Sequence, residues 1–263
     1  MNPAVAIIGT GRLASALAPA MRQAGVQVVS VVGRNTRSVA LFRRRFPALA
    51  KVTGTRLQGE PDLFLLAVPD REIPSNARDL ARYTHRADGV ALHHAGGLGP
   101  ATLEPLQAEG MATGVLHPLQ VLGVAGHGLL RGSYARIDGE PRARKAARWL
   151  ADRLGMIPLK FRRRPDSQAL AAYHAGAALA SNDLVGLISL GAELLTAAGI
   201  GRGQALDALA ALAEGAIRNL REGGVRGAIT GPVARGDGTT VAAHLDRLTE
   251  LSPEAREIHR LLS

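Results

Sequence analysis

Gly9-Thr10-Gly11-Arg12-Leu13-Ala14 follows directly on an apolar, β-branched run at residues 4–8 and opens a segment with helical apolar spacing over residues 13–24. Gly9 permits a tight turn, Gly11 lets the backbone approach a pyrophosphate, and Ala14 allows a helix to pack closely on a strand. The N-terminus of that helix would offer free N–H groups and a partial positive charge to phosphates. The strand before it, the helix after it and a second strand at residues 26–32 turn a common motif into a dinucleotide-binding fingerprint, with Gly9, Thr10, Gly11, Arg12 and Leu13 around the cofactor. Gly33-Arg34-Asn35-Thr36-Arg37-Ser38 ends the second strand, where an NAD-binding chain places Asp or Glu for the ribose 2′-hydroxyl. A carboxylate repels a 2′-phosphate, whereas Arg34 can pair with one through its planar fork. Asn35, Thr36 and Ser38 add neutral donors, Thr36 also being a candidate cap of the next helix, and Arg12 can reach the same phosphate. The expected cofactor is NADPH. Arg37 and Arg43 to Arg45 read as a solvated helix face.

Further on, an apolar strand at residues 62–68 ends in Val68-Pro69-Asp70. Strand C-termini line the cofactor crevice of a doubly wound sheet, so Val68 and Pro69 are expected beside the ribose and nicotinamide. Asp70 reads first as the N-cap of a helix near Arg71. His93 and His94 end another strand before a Gly-rich loop. They read either as a proton donor and a substrate contact, or as one buried and one exposed structural histidine. His117 precedes Pro118 and must be extended, so it can point into the cleft. These histidines form no H-x-x-x-H or H-E-x-x-H pattern and no acid accompanies them, so no metal is expected.

Polar residues also interrupt a long apolar stretch later in the chain: Tyr173, His174, Ser181, Asn182 and Asp183. His174 and Asn182 lie about two helical turns apart and share a face, with Ser181 close to it. Such a stripe is a buried network or the wall of an active site. The second reading makes His174, Ser181, Asn182 and His93 the catalytic set. Residues 230–240 are too Gly-rich for a helix interior. Arg235 and a helix N-terminus at Thr239 and Thr240 could hold a substrate carboxylate, or the segment is a connection capped by Asp237 or Thr239. The expected substrate contacts are His94, His117, Arg235, Asp237 and Thr240.

Residues 134–137 and 156–160 read as late strands around an amphipathic helix at 141–154. Near Phe161 the pattern changes: residues 162–167 form a polar, Pro-containing linker. Helical patterns then occupy residues 168–198, 203–221, 241–251 and 253–262, the first apolar on most sides as in a central or dimer-interface helix. The expected fold class is α/β: an N-terminal Rossmann domain with a doubly wound, mainly parallel sheet (1–161), followed by an all-helical substrate and dimerisation domain (162–263). Of the 263 residues 46% are hydrophobic but only 3% aromatic, so the core must be Ala, Leu, Val and Ile. The absence of cysteine excludes disulfides, thiol catalysis and thiolate metal sites. No signal-like opening and no apolar run of about 18 residues is evident, so a cytoplasmic protein without a membrane partner is expected. A net charge of +10 invites nucleic acid, but the basic residues are scattered and few aromatics can stack on bases. No nucleic-acid partner is expected, only a small-molecule substrate and a second copy in a homodimer.

Together the GxGRLA, AVPD, HHAGG, LHPLQ, YHAGAALASND and TGPVARGD segments resemble a bacterial family of Rossmann-like, NADP-oxidoreductase-type proteins with a C-terminal helical domain of uncharacterised function. The resemblance covers essentially the whole chain. Its wider superfamily includes ketopantoate reductase, pyrroline-5-carboxylate reductase and the 3-hydroxyacid dehydrogenases, which implies a helical domain that often dimerises. Several of those relatives carry Lys and Asn one turn apart. Asn182 matches the Asn, but Ala178 stands at the Lys position, which departs from a lysine-assisted mechanism and leaves His174 as a substitute. The expected function is NADPH-dependent reduction of a C=O or C=N bond in a small, carboxylate-bearing substrate. The alternative is an NADP(H)-binding sensing module without turnover. The Arg34 loop argues against a deazaflavin.

Overall fold

The computed structural model describes residues 2–83, 87–123 and 130–263. Its first part alternates strand and helix: β1 (Val5–Ile8), α1 (Arg12–Gln23), β2 (Val28–Val32), α2 (Thr36–Arg45), β3 (Thr53–Gly54), β4 (Leu63–Leu66), α3 (Ile73–Tyr83), β5 (Val90–His93), α4 (Glu104–Ala108), β6 (Ala112–Leu119), β7 (Tyr134–Gly139), α5 (Pro141–Leu154) and β8 (Ile157–Pro158). These strands form one sheet in the order β3-β2-β1-β4-β5-β6-β7-β8. Neighbours run parallel except β6 and β7, which are antiparallel. Chain order reverses between β1 and β4, the switch point at which open α/β sheets bind ligands.

The strands read as unbroken apolar runs because both faces are covered. Val5, Ile7, Leu63 and Leu65 pack with α1, α2 and α5, through Leu17, Phe42 and Leu150 among others. Ala6, Phe64, Leu66 and Ala91 point the other way, onto Ile73, Ala77 and Leu80 of α3 and Leu106 of α4. Alternate side chains thus feed two cores, and the sheet is doubly wound. Pro118 lies past the stretch of β6 that pairs with β5, so its missing N–H breaks no parallel ladder.

From residue 167 onward the chain is helical: α6 (Ser167–Ala178), a π-helical turn (Leu179–Asp183), α7 (Leu184–Ala197), α8 (Arg202–Ala228), α9 (Gly231–Ala234), α10 (Gly238–Leu251) and α11 (Pro253–Leu262). Contacts divide the molecule into two units, Met1–Ala177 and Ala178–Ser263. That division falls later than the polar linker at 162–167, because α6 packs on the sheet unit: Leu170 is buried and Tyr173 meets His117. In the second unit α7 packs on α8 and α10 on α11. Among its described residues only Ala192, Ala205, Leu248 and Ala255 are buried hydrophobics. The segment Ser167–Ala197 is long and apolar enough to cross a membrane, by length and composition alone. Ala, Gly and Ser interrupt its Leu-rich runs, and the core helix of a soluble protein passes the same test.

Candidate functional site

β1, β2, β4, β5 and β6 are mutually parallel, so the turns after them gather at one edge of the sheet. Gly9 is the tightest point. Its φ is +123°, and a Cβ there would stand 2.3 Å from the Ala67 carbonyl oxygen and 3.5 Å from Val68 Cγ1. Only glycine permits that approach, which brings the turn after β4 against the turn after β1. Gly11 is the opposite case. Nothing lies within 4 Å of where its Cβ would be, and it precedes α1 with no side-chain cap and no acidic residue in the first turn. The first N–H groups of α1 therefore stand open beside free space, which is the donor set a diphosphate needs. Arg12 is exposed, and Thr10 and Leu13 are half-buried at this turn.

At the end of β2, Arg34 is 80% exposed and lies 3.6 Å from Glu72. Asn35, rather than Thr36, caps α2: its Oδ1 accepts from the Ser38 N–H at 2.9 Å, and the Ser38 hydroxyl donates to the Asn35 carbonyl. Thr36 is the first helical residue. Arg37 and Arg43 to Arg45 are exposed, as expected, and Arg43 also donates to the Thr53 carbonyl and ties α2 to β3. Asp70 makes no cap bond; Pro69 holds the cap position of a short 3₁₀ turn, Asp70–Glu72.

The turns after β5 and β6 carry a buried polar cluster. His93 is fully buried; Nε2 lies 3.0 Å from the Gly99 carbonyl, and Nδ1 accepts from the Ala95 N–H at 3.2 Å. Both ring nitrogens are thus used to shape the loop. His94 bonds through Nδ1 to the Leu116 carbonyl, and its buried Nε2 has no hydrogen-bond partner among the described residues. Arg136, on β7 directly across from His117, is fully buried. It donates to the carbonyls of Gly96 at 2.8 Å and Leu98 at 2.9 Å and meets the Asp138 carboxylate at 3.5 Å. Burial drives the pKa of His93 down to about 4 and that of His94 to about 3. His117 falls to about 4, through burial first and then the Arg136 charge. All three are neutral imidazoles at pH 7.

Gly96 is the meeting point. A Cβ there would stand 2.7 Å from His174 Nδ1 and 3.0 Å from His117 Nε2. His117 Nδ1 lies 2.8 Å from the Tyr173 hydroxyl. The structure therefore joins His93, His94, His117 and His174 around residues 94–98. Arg136 and Tyr173 belong to the same cluster. Arg136 is absent from the sequence-level site, although a lone Arg between Ala135 and Ile137 in a strand is a readable sign of a buried charge. Tyr173 shows only as a polar interruption.

The second unit gives its expected residues other surroundings. Ser181 and Asn182 lie in the π-helical turn, so the interval from His174 is not regular α-helix, and Asn182 is exposed. Such turns are frequent at functional sites. Asp237 caps α10, accepting from the Thr240 N–H at 3.1 Å and the Thr240 hydroxyl at 2.7 Å. That helix N-terminus already holds a carboxylate, which removes the reason to place a substrate carboxylate at Asp237 and Thr240. Arg235 is exposed. Among the described residues no group of three or more His, Asp or Glu is arranged to hold a metal.

Two domain families account for most of the chain. Residues 2–118 match the Rossmann-like domain, and residues 133–263 match the domain of unknown function DUF2520. Nothing matches among curated proteins. Among solved structures, a Bacteroides fragilis protein provisionally described as an NADP oxidoreductase is 20% identical with a TM-score of 0.77, over 99% of this chain and 96% of that one. A Thermotoga maritima protein is 22% identical with a TM-score of 0.69, over 98% and 96%. A 1-pyrroline-5-carboxylate reductase of Streptococcus pyogenes is 17% identical with a TM-score of 0.66, over 95% and 92%. At these identities the likeness establishes the fold.

Proposed function

We propose that this chain, which belongs to the proteins joining a Rossmann-like domain to DUF2520, is an NADPH-dependent oxidoreductase that reduces a C=O or C=N bond of a small substrate. The observation that carries the reading is the uncapped N-terminus of α1 opening onto free space at Gly11. Bound there, the cofactor supplies a hydride. Gly9, Thr10, Gly11, Arg12 and Leu13 hold the diphosphate, while Arg34, Asn35 and Thr36 receive the 2′-phosphate. Val68 and Pro69 flank the ribose. His174, exposed beside His117 over Gly96, delivers the proton that balances hydride addition. The solved relatives described as an NADP oxidoreductase and a pyrroline-5-carboxylate reductase are in keeping with this chemistry. We also infer a homodimer, supported by the sparse burial in the second unit.

Titration of the purified protein with NADPH and NADH tests the reading. NADPH should bind at least about tenfold more tightly, a difference of about 1.4 kcal/mol, and Arg34→Ala should erase the preference. Equal binding of the two, or binding of neither, rejects it.

A further inference from the structure

Six polar side chains meet around residues 94–98, yet only some of them can face a substrate. His93 is spent on the backbone of its own loop, and Arg136 on the carbonyls of Gly96 and Leu98. His117 differs. Its Nδ1 is held by Tyr173, while its Nε2 has no hydrogen-bond partner among the described residues and lies close over Gly96 beside the exposed His174.

Resting on the reductase reading, we infer that Tyr173 is a positioning residue that locks His117 with its proton on Nε2, so that His117 presents a neutral N–H donor to the oxygen or nitrogen being reduced. The pairing of phenol and imidazole admits two arrangements, O–H to Nδ1 or Nδ1–H to oxygen. The phenol O–H is the stronger acid, and the bare imidazole nitrogen is the better acceptor. The first arrangement therefore wins, and the proton of the neutral ring must sit on Nε2. Tyr173 has no other hydrogen-bond partner among the described residues to draw its proton away. Its ring is held edge-on to His117 at 5.6 Å and rests against Phe161 at 5.8 Å.

Burial supports the assignment from both sides. It pushes the Tyr173 hydroxyl up to about 12, so the phenol keeps its proton. His117 is kept neutral by burial and by the groups that face it: Arg136 from β7, His174 from α6 and His93 from the end of β5. A neutral donor suits a group on which negative charge develops, because it stabilises that charge without giving up its proton prematurely. His117 then polarises the reacting group, and His174 remains the proton source.

The test is ¹⁵N–¹H correlation of the imidazole rings in the labelled full chain at pH 7, for the wild type and Tyr173→Phe. The wild type should show His117 with a protonated Nε2 and a bare Nδ1. In Tyr173→Phe, which keeps the ring packing, His117 should become a mixture of tautomers. A wild-type ring protonated on Nδ1, or a spectrum unchanged in Tyr173→Phe, overturns the inference. Adding NADP⁺ should shift the His117 Nε2 resonance. Binding seen at the Gly9 and Gly11 amides with no change at His117 overturns its role at the reacting group. No binding at all defeats the reductase reading, while the tautomer result still decides what Tyr173 does.

Discussion

At the scale of single residues, the two fingerprint glycines answer to different forces. Gly9 is required by the fold, because any side chain would collide with the Ala67 carbonyl in a left-handed backbone conformation. Gly11 has φ −78° and open space around it, so the protein alone would tolerate a side chain there. Gly9→Ala should therefore destabilise the chain by about 2 kcal/mol or more, read as a drop in denaturation midpoint. Gly11→Val should melt within a degree or two of the wild type yet bind NADPH at least about tenfold more weakly, because its isopropyl group fills the space meant for the diphosphate. Similar melting losses in both variants would show that Gly11 is structural. Sequence alone could assign both glycines to a fingerprint, but not separate them, since the separation depends on Ala67, far away in the chain. Arg136 and Tyr173 were hidden for a related reason. Their roles come from partners on other elements: Arg136 lies in no motif, and the YHAGAALASND segment that Tyr173 opens does not show that its hydroxyl meets His117.

Elements whose stability is local were the easiest to read. The helix at 141–154 and the helix at 253–262 have the expected bounds, each with proline at its first turn, and the first stops at the left-handed Gly155. The two-residue β3, the π-helical turn at Leu179–Asp183 and the kink of α8 at Gly224 leave no periodic signature, because each is shorter than the repeat by which a strand or helix is read. The loops after β5 and β6 also make a prediction. His93, His94 and His117 are held neutral, with pKa values well below the ordinary 6.5. The unfolded chain therefore binds more protons than the folded one between pH 6.5 and about 4. Their contribution is fully present above pH 6.5 and is lost as the pH falls through that window, at about 1 kcal/mol per histidine per pH unit. Thermal melts should hold steady from pH 8 to 7 and fall steeply from pH 6.5 to 5. In His94→Gln the fall should be shallower. A melting temperature flat across that range would mean that these rings are charged in the native state.

At the scale of the whole molecule, the two units differ in what they bury. The sheet unit has two continuous cores, whereas the second unit leaves Leu179, Val185, Leu212 and Val225 each about two-thirds exposed. A helical unit with four small or medium buried hydrophobics falls far short of the burial that offsets chain entropy. A second copy of the chain is the economical cover, since each copy carries the same apolar faces and a twofold axis matches them to one another. An obligate interface of this kind buries about 2,000 Å² or more. Light scattering after size exclusion should give about twice the 27.5 kDa chain mass, unchanged on dilution to about micromolar concentration. Leu179→Glu with Val185→Glu should lower the melting temperature and shift the mass toward the monomer. The competing cover for Ser167–Ala197 is a lipid bilayer, for which it has the length and composition. A monomer in buffer that sediments with neutral phosphatidylcholine vesicles would favour the bilayer. The glycines and polar residues at 174, 176, 181, 182, 186 and 191 weigh against it, because polar side chains are costly in hydrocarbon, whereas at a protein interface those positions permit close approach and hydrogen bonding.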